Sequence, residues 1–125
     1  MSSLLFQPIT LAGMTLANRI AVAPMCQYSA IEGSATDWHL MLLGQLSISG
    51  SALVFIEATA VEEKGRITPG CLGLYSDDNQ IALEKVINFI TNLPKRLTDC
   101  DFKEKQKIIG SILSITTITL TIVLT

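Results

Sequence analysis

The chain has 125 residues, 49% of them hydrophobic and 16% charged, which is apolar enough for a packed core, leaves one domain as the ceiling and excludes intrinsic disorder. A net charge of −2 leaves no surplus of Lys and Arg to neutralise a phosphate backbone, so no nucleic-acid partner is expected. Cys26, Cys71 and Cys100 are odd in number and too far apart for a metal knuckle; neither a disulfide framework nor a metal site is expected, and a reducing cytoplasm fits best.

The opening stretch MSSLLFQPITLAG has no basic segment, and Pro8 interrupts its apolar residues, so it does not resemble a signal peptide. Between Leu4 and Leu16, β-formers flank Ala12-Gly13, which predicts a small hairpin ahead of the main fold. Residues 20–23 form a short apolar run closed by Pro24, whose missing N–H and fixed φ suit the end of a first strand. After a polar loop containing Gly33, Thr36 is placed to cap a helix, with Asp37 in its positive first turn. Trp38, Met41, Leu42 and Leu46 recur at three- and four-residue spacing on that helix, which runs to about Ser49 before Gly50 stops it; this face is expected to pack on a sheet.

Residues 52–61, ALVFIEATAV, are a nearly continuous apolar run and predict a second strand, parallel to the first and covered on both faces. Residues 62–78 hold Gly65, Gly70, Gly73 and Pro69 and read as a long loop, the kind of segment that carries function. Asp77 or Asp78 is expected to cap a second helix from about Gln80 to Thr91, with Ile81, Val86 and Ile90 on its inner side and Pro94 beyond its end. The order is hairpin, β, α, β, α, without internal repeats. A Rossmann reading lacks its Gly-x-Gly-x-x-Gly fingerprint.

In a parallel α/β arrangement ligands sit at the carboxyl ends of the strands, and both Pro24-Met25-Cys26 and Ala58 fall there. A flat cofactor lying across such ends needs main-chain N–H and C=O groups at its polar edge and small side chains under its face. Ala58 and Ala60 meet the second need, and Pro24 presents its neighbouring peptides rigidly.

Here the motifs LFQPITLAGMTLANRIAVAPMCQYSA, DWHL and FIEATAVEEKGRITPGCLGLYSDDNQ closely resemble the N-terminal part of the Old Yellow Enzyme family. Members are FMN-dependent NAD(P)H oxidoreductases on a TIM barrel, ene-reductases that reduce the activated C=C bonds of α,β-unsaturated carbonyl compounds. The likeness runs from Leu4 to about Ile90 and is to the bacterial branch with a cysteine in the first-strand motif. It implies an α/β fold, an incomplete TIM (β/α)8 barrel made of the hairpin and the first two β/α units. It implies FMN as cofactor, NAD(P)H as reductant and a small unsaturated carbonyl compound as substrate. Residue by residue, it implies that Ala23, Pro24, Met25 and Cys26 line the flavin, chiefly through main-chain atoms, and that the Cys26 thiol tunes its reduction potential. Tyr28 would face the substrate over the flavin, and the backbone of Ala58 would meet the cofactor. Asn18 and Arg19 are expected to fix the hairpin to the barrel, Glu57 to be a structural carboxylate with a hydrogen-bond partner, and His39 to pack or cap rather than bind substrate.

The family's carbonyl-gripping His/His or His/Asn pair, its phosphate-binding arginines, its flavin-binding glutamine and its proton-supplying tyrosine come from later strands, and nothing after residue 91 matches. A full barrel takes on the order of 250 residues. Residues 1–91 are therefore read as the N-terminal part of a barrel, 92–107 as a charged linker and 108–125 as an unrelated apolar tail, the whole being an inactive fragment. Twelve of the 18 tail residues are β-branched, six Ile, one Val and five Thr. They could form a membrane anchor, which five Thr, two Ser and a Gly make marginal, or an aggregation-prone β segment. Translation of a disrupted reading frame is favoured over both, because composition changes abruptly where the barrel should continue. The alternative to the enzyme fragment is a non-enzymatic membrane-tethered or interaction peptide.

Overall fold

Ala12 and Gly13 both take positive φ, 48° and 83°, and this two-residue reversal sets β1 (Ile9–Leu11) antiparallel to β2 (Met14–Leu16). The computed structural model describes residues 3–93, 109–111 and 119–124. The hairpin leads into Asn18, whose side chain sews together the starts of two strands. Asn18 Oδ1 accepts the N–H groups of Ile20 and Ala52 at 3.0 and 3.2 Å, and its Nδ2 donates to the carbonyl of Gly50 at 2.8 Å. The Arg19 N–H donates to the carbonyl of Leu5 at 2.9 Å and ties the N-terminal turn (Leu4–Phe6) to the same place. The strands so aligned are β3 (Ala21–Val22) and β4 (Leu53–Phe55), parallel, with Ala21 opposite Leu53.

The helix α1 (Asp37–Ser47) connects them, and α2 (Asp77–Thr91) follows. The second helix begins earlier than expected: its cap is Ser76, whose Oγ accepts the Asn79 N–H at 3.2 Å, while Asp77 and Asp78 lie in the first turn. A serine caps as well as an aspartate, and the two carboxylates are favoured beside the positive end of the helix. The inner faces match the expected ones in part: Val86 and Ile90 of α2 are buried and Leu46 of α1 packs against the core, but other expected members do not. On α2 the buried stripe is Leu83, Val86, Ile87 and Ile90, at i, i+3, i+4 and i+7, and Ile81 falls outside it with 65% of its surface exposed. On α1, Trp38 and Met41 are exposed, and the buried residues are His39, Leu43 and Gly44. Gly44 decides this rotation: a Cβ there would lie 3.1 Å from the ring of Phe89, so the small residue lets α2 approach. Val54, Ile56, Leu72 and Ala30 complete the core between the helices and β4.

The expected second strand, 52–61, is interrupted. Pairing stops after β4 and resumes in β5 (Thr59–Ala60), with Ile56, Glu57 and Ala58 outside the ladder. Thr59 Oγ1 donates to the carbonyl of Glu57 at 2.9 Å, a local bond that competes with strand pairing. Both pieces pair antiparallel with β7 (Thr119–Leu124), and the register slips by one residue between Phe55↔Val123 and Thr59↔Leu120, as across a bulge. β6 (Ile109–Ser111) pairs with β7, giving the order β3-β4-β7-β5 with β6 beside β7. Most of the expected charged linker lies outside the described residues. Among the described residues no helix is long and apolar enough to cross a membrane, and the membrane-tether reading finds no support.

Among the described residues the helices α1 and α2 pack on one face of the β3–β4 pair. On β3, Val22 packs against the core while Ala21 and Ala23 are exposed, whereas on the second strand the successive residues Leu53 and Val54, and Thr59 and Ala60, are all buried, in line with a strand covered on both faces. The loop after β5 folds back over the strand ends: Ala60 exchanges bonds with Leu72 and Leu74 at 2.9 and 2.8 Å, and Leu72 is buried. Arg66 stiffens this loop, donating to the carbonyls of Glu63 and Pro69 and lying 5.9 Å from the ring centre of Tyr75. Gly70 reaches the main chain of Tyr28 so closely that a Cβ would collide with its carbonyl oxygen.

Two denaturant-unfolding experiments check this packing. Leu83→Ala, at a fully packed position, is expected to cost about 2–5 kcal/mol, whereas Ile81→Ala is expected to stay within about 0.5 kcal/mol; the reverse order would mean α2 presents the other face. Gly70→Ala is expected to cost about 1–3 kcal/mol because backbone, not a flexible side chain, must give way, and a neutral effect would show that the loop does not bear on Tyr28.

Candidate functional site

The residues singled out follow the carboxyl ends of the parallel strands β3 and β4. Ala23 and Pro24 follow β3 directly and are exposed, Met25 is half exposed, and Cys26 is a free, partly buried thiol. Tyr28 takes φ of 54° and keeps 57% of its surface exposed. Ala58 is partly buried in the gap between β4 and β5. The main-chain N–H groups of Cys26 and Ala58 have no hydrogen-bond partner among the described residues. Residues 23–28 and Ala58 therefore offer the small side chains of Ala23 and Ala58, the larger Met25 and Tyr28, and main-chain N–H groups that no described residue engages.

Beneath that surface is a polar cluster. Glu57 is buried, and its two carboxyl oxygens reach different segments: Oε1 lies 3.1 Å from His39 Nε2, and Oε2 accepts the Gln27 N–H at 3.0 Å. His39 Nδ1 in turn accepts the N–H of the cap residue Thr36 at 3.0 Å. Thr36 Oγ1 donates to the carbonyl of Ser29 at 3.0 Å, closing the circuit back to the loop after β3. Gln27 adds two more ties: its Nε2 donates to the carbonyl of Met25 at 2.8 Å, and its Oε1 accepts the indole N–H of Trp38 at 3.1 Å. Glu57 thus has the hydrogen-bond partners expected of a structural carboxylate, and His39 caps α1.

The role of Gln27 escaped the sequence reading. Only a polar residue between the flanking cysteine and tyrosine signalled it. A crevice between Ala23, Met25, Phe55 and Glu57 opens beside the cluster, with about 10 Å3 of interior space, room for about one water and not for a ring system. A flat ligand would have to lie on the outer surface of residues 23–28 and 58. Arg19 sits at the opposite end of β3 from this surface, and Arg66 is engaged by Glu63, Pro69 and Tyr75.

Comparison with known proteins bears on this surface. Residues 4–93 match the family model for the NADH:flavin oxidoreductase / NADH oxidase family. An NADH:flavin oxidoreductase of Gibberella zeae is 48% identical over 88 residues, covering 70% of this chain and 21% of the relative. An NADPH dehydrogenase of Bacillus cytotoxicus is 40% identical over 92 residues, covering 72% of this chain and 27% of the relative. The chain thus spans about a quarter of the length of these curated relatives. Among solved structures, morphinone reductase superposes with a TM-score of 0.63 at 22% identity, over 70% of this chain and 23% of that one, which shows a shared fold. With more than half of its residues inside the family match, and with the first-strand and second-strand motifs at the ends of a parallel pair, the chain belongs to the NADH:flavin oxidoreductase / NADH oxidase family.

Proposed function

We propose that residues 4–93 are the hairpin and first two β/α units of a (β/α)8 barrel in an FMN-dependent NAD(P)H oxidoreductase, and that residues 23–28 with Ala58 form one side of its flavin site. The observation that supports the reading is that β3 and β4 are parallel, so that residues 23–28 and Ala58, all inside the family match, follow the carboxyl ends of these two strands. In open and closed parallel α/β folds this is the end where ligands bind. The fit is chemical as well as positional. Ala23 and Ala58 leave room for a ring to approach, Pro24 fixes the peptides on either side of it, and the open N–H groups of Cys26 and Ala58 can donate to a heteroaromatic edge.

FMN, when bound, supplies the two-electron redox chemistry, with NAD(P)H as the reductant and the C=C bond of an unsaturated carbonyl compound as the acceptor. The chain's own share is binding and orientation. Met25 and Cys26 present apolar and polarizable contacts, and the Cys26 thiol lies where it would tune the bound ring. Tyr28, more than half exposed, is the residue assigned to face the substrate. The free thiols of Cys26 and Cys71 support a reducing, cytoplasmic setting. Phosphate anchoring is the part this surface lacks, because neither Arg19 nor Arg66 is free beside it.

The reading is tested by mixing the 125-residue chain with FMN. Amide signals of Cys26, Tyr28 and Ala58 are expected to shift with added FMN, while the cofactor separates from the protein on gel filtration and no NADPH-dependent reduction of cyclohexenone appears. Shifts confined to the hairpin tip at Ala12 and Gly13 would overturn the assignment of the surface. A yellow protein peak with stoichiometric flavin would overturn the view that this chain supplies only one side.

A further inference from the structure

The hydrogen bonds around Glu57 bear on the protonation of both acidic and basic partners: the Thr36 nitrogen and the Thr36 hydroxyl, itself donating to Ser29, lie 3.0 and 3.2 Å from His39 Nδ1, and Glu57 Oε1 lies 3.1 Å from Nε2. A main-chain N–H can only donate, so His39 Nδ1, 3.0 Å from the Thr36 nitrogen, carries a lone pair. A neutral imidazole with a bare Nδ1 holds its proton on Nε2, and Nε2 points at Glu57 Oε1 across 3.1 Å. The other oxygen, Oε2, meets the Gln27 N–H. Both groups that reach the carboxyl are donors. A carboxylate accepts at both oxygens, whereas a protonated carboxyl would add a third donor to a buried site that already has two. Arg66 and Lys85 pair with Glu63 and Asp37, and neither contributes a charge here.

The peptide joining Cys26 to Gln27 is trans, since no cis bond occurs among the described residues. In a trans peptide the N–H and the C=O point in opposite directions. With the Gln27 N–H turned inward onto Oε2, the Cys26 carbonyl is turned away from Glu57, and it has no partner among the described residues.

We infer that Glu57 is ionised in the folded chain and is the positioning residue for residues 25–28, with the tautomer of His39 set by the start of α1 and the Cys26 carbonyl presented outward as an acceptor for a ligand donor. The inference rests on the flavin reading only for what that carbonyl meets; the positioning itself is a property of the chain alone. His39 and Glu57 act through the loop and are not themselves at the open surface, since both are buried.

The test is NMR on the isotopically labelled full chain without flavin. In the unmodified protein, His39 is expected as the Nε2–H tautomer, and the Gln27 amide is expected to be protected from solvent exchange although it belongs to no helix or strand. In Glu57→Gln, one acceptor faces two donors. Either Gln27 exchange quickens roughly tenfold, the scale of one unmet buried donor, or His39 changes to the Nδ1–H tautomer. The amides of Val86 and Ile87 in the α2 core keep their protection. An Nδ1–H tautomer in the unmodified chain, or a Gln27 amide exchanging there at an open-loop rate, would overturn the inference even if the variant did not fold. So would a folded variant in which both readouts stay unchanged, or one in which Gln27 and the α2 core quicken together, the mark of a merely stabilising side chain. A chain that fails to bind FMN leaves every one of these outcomes readable.

Discussion

A carboxylate inside a protein must find its hydrogen bonds or be expelled, and the placement of Glu57 follows from that constraint. Its two oxygens satisfy one donor from α1 and one from the loop after β3, so a single side chain on the second strand holds the two preceding segments in register. The consequences reach the backbone. The strand is interrupted at Glu57, the Thr59 hydroxyl turns back onto the Glu57 carbonyl, and Ala58 is left outside the ladder with no partner for its N–H among the described residues. The price of burying the charge is offset only while both donors are present, which couples the start of α1 to the shape of residues 25–28.

The apolar packing serves the same arrangement from the other side. Val54 and Ile56 belong to the core made with Leu43, Leu83, Val86 and Ile90, while the alternating positions of the two strands hold the exposed Ala21 and Ala23, the buried Leu53 and the partly exposed Phe55. A parallel pair with helices packed on one face is the arrangement of one wall of a (β/α)8 barrel. The family match and the shared fold with morphinone reductase agree with that geometry. The loop after β5 adds a second support, with Gly70 against Tyr28 and the Ala30 N–H bonded to the Gly70 carbonyl at 2.9 Å. The surface proposed for the flavin is therefore held from beneath by Glu57 and from the flank by this loop.

Local chemistry was legible in the sequence, and long-range satisfaction was not. The Ala12-Gly13 reversal, the Thr36 cap and the stop at Gly50, whose φ is 87°, all follow from residue types within a few positions of one another. The interruption at Glu57 does not, because the groups that draw its side chain inward lie 30 and 18 residues back in the chain. The helix faces were misjudged in part, for a similar reason. Periodicity marks several adjoining apolar stripes on α1, and the choice among them falls to Gly44, which matters only once Phe89 of α2 is beside it. Motif placement located the candidate surface at the strand ends, but the orientation of the Cys26–Gln27 peptide, on which its polar character depends, required the positions of three separate segments.

The most direct measure of the central claim is the coupling between His39 and Glu57 in a double-mutant cycle, with unfolding free energies for His39→Ala, Glu57→Ala and the pair. A shared buried bond that joins α1 to the second strand predicts a coupling of roughly 1–3 kcal/mol. Additivity to within about 0.3 kcal/mol would contradict it, because neighbours that share no energy add as independent sites do.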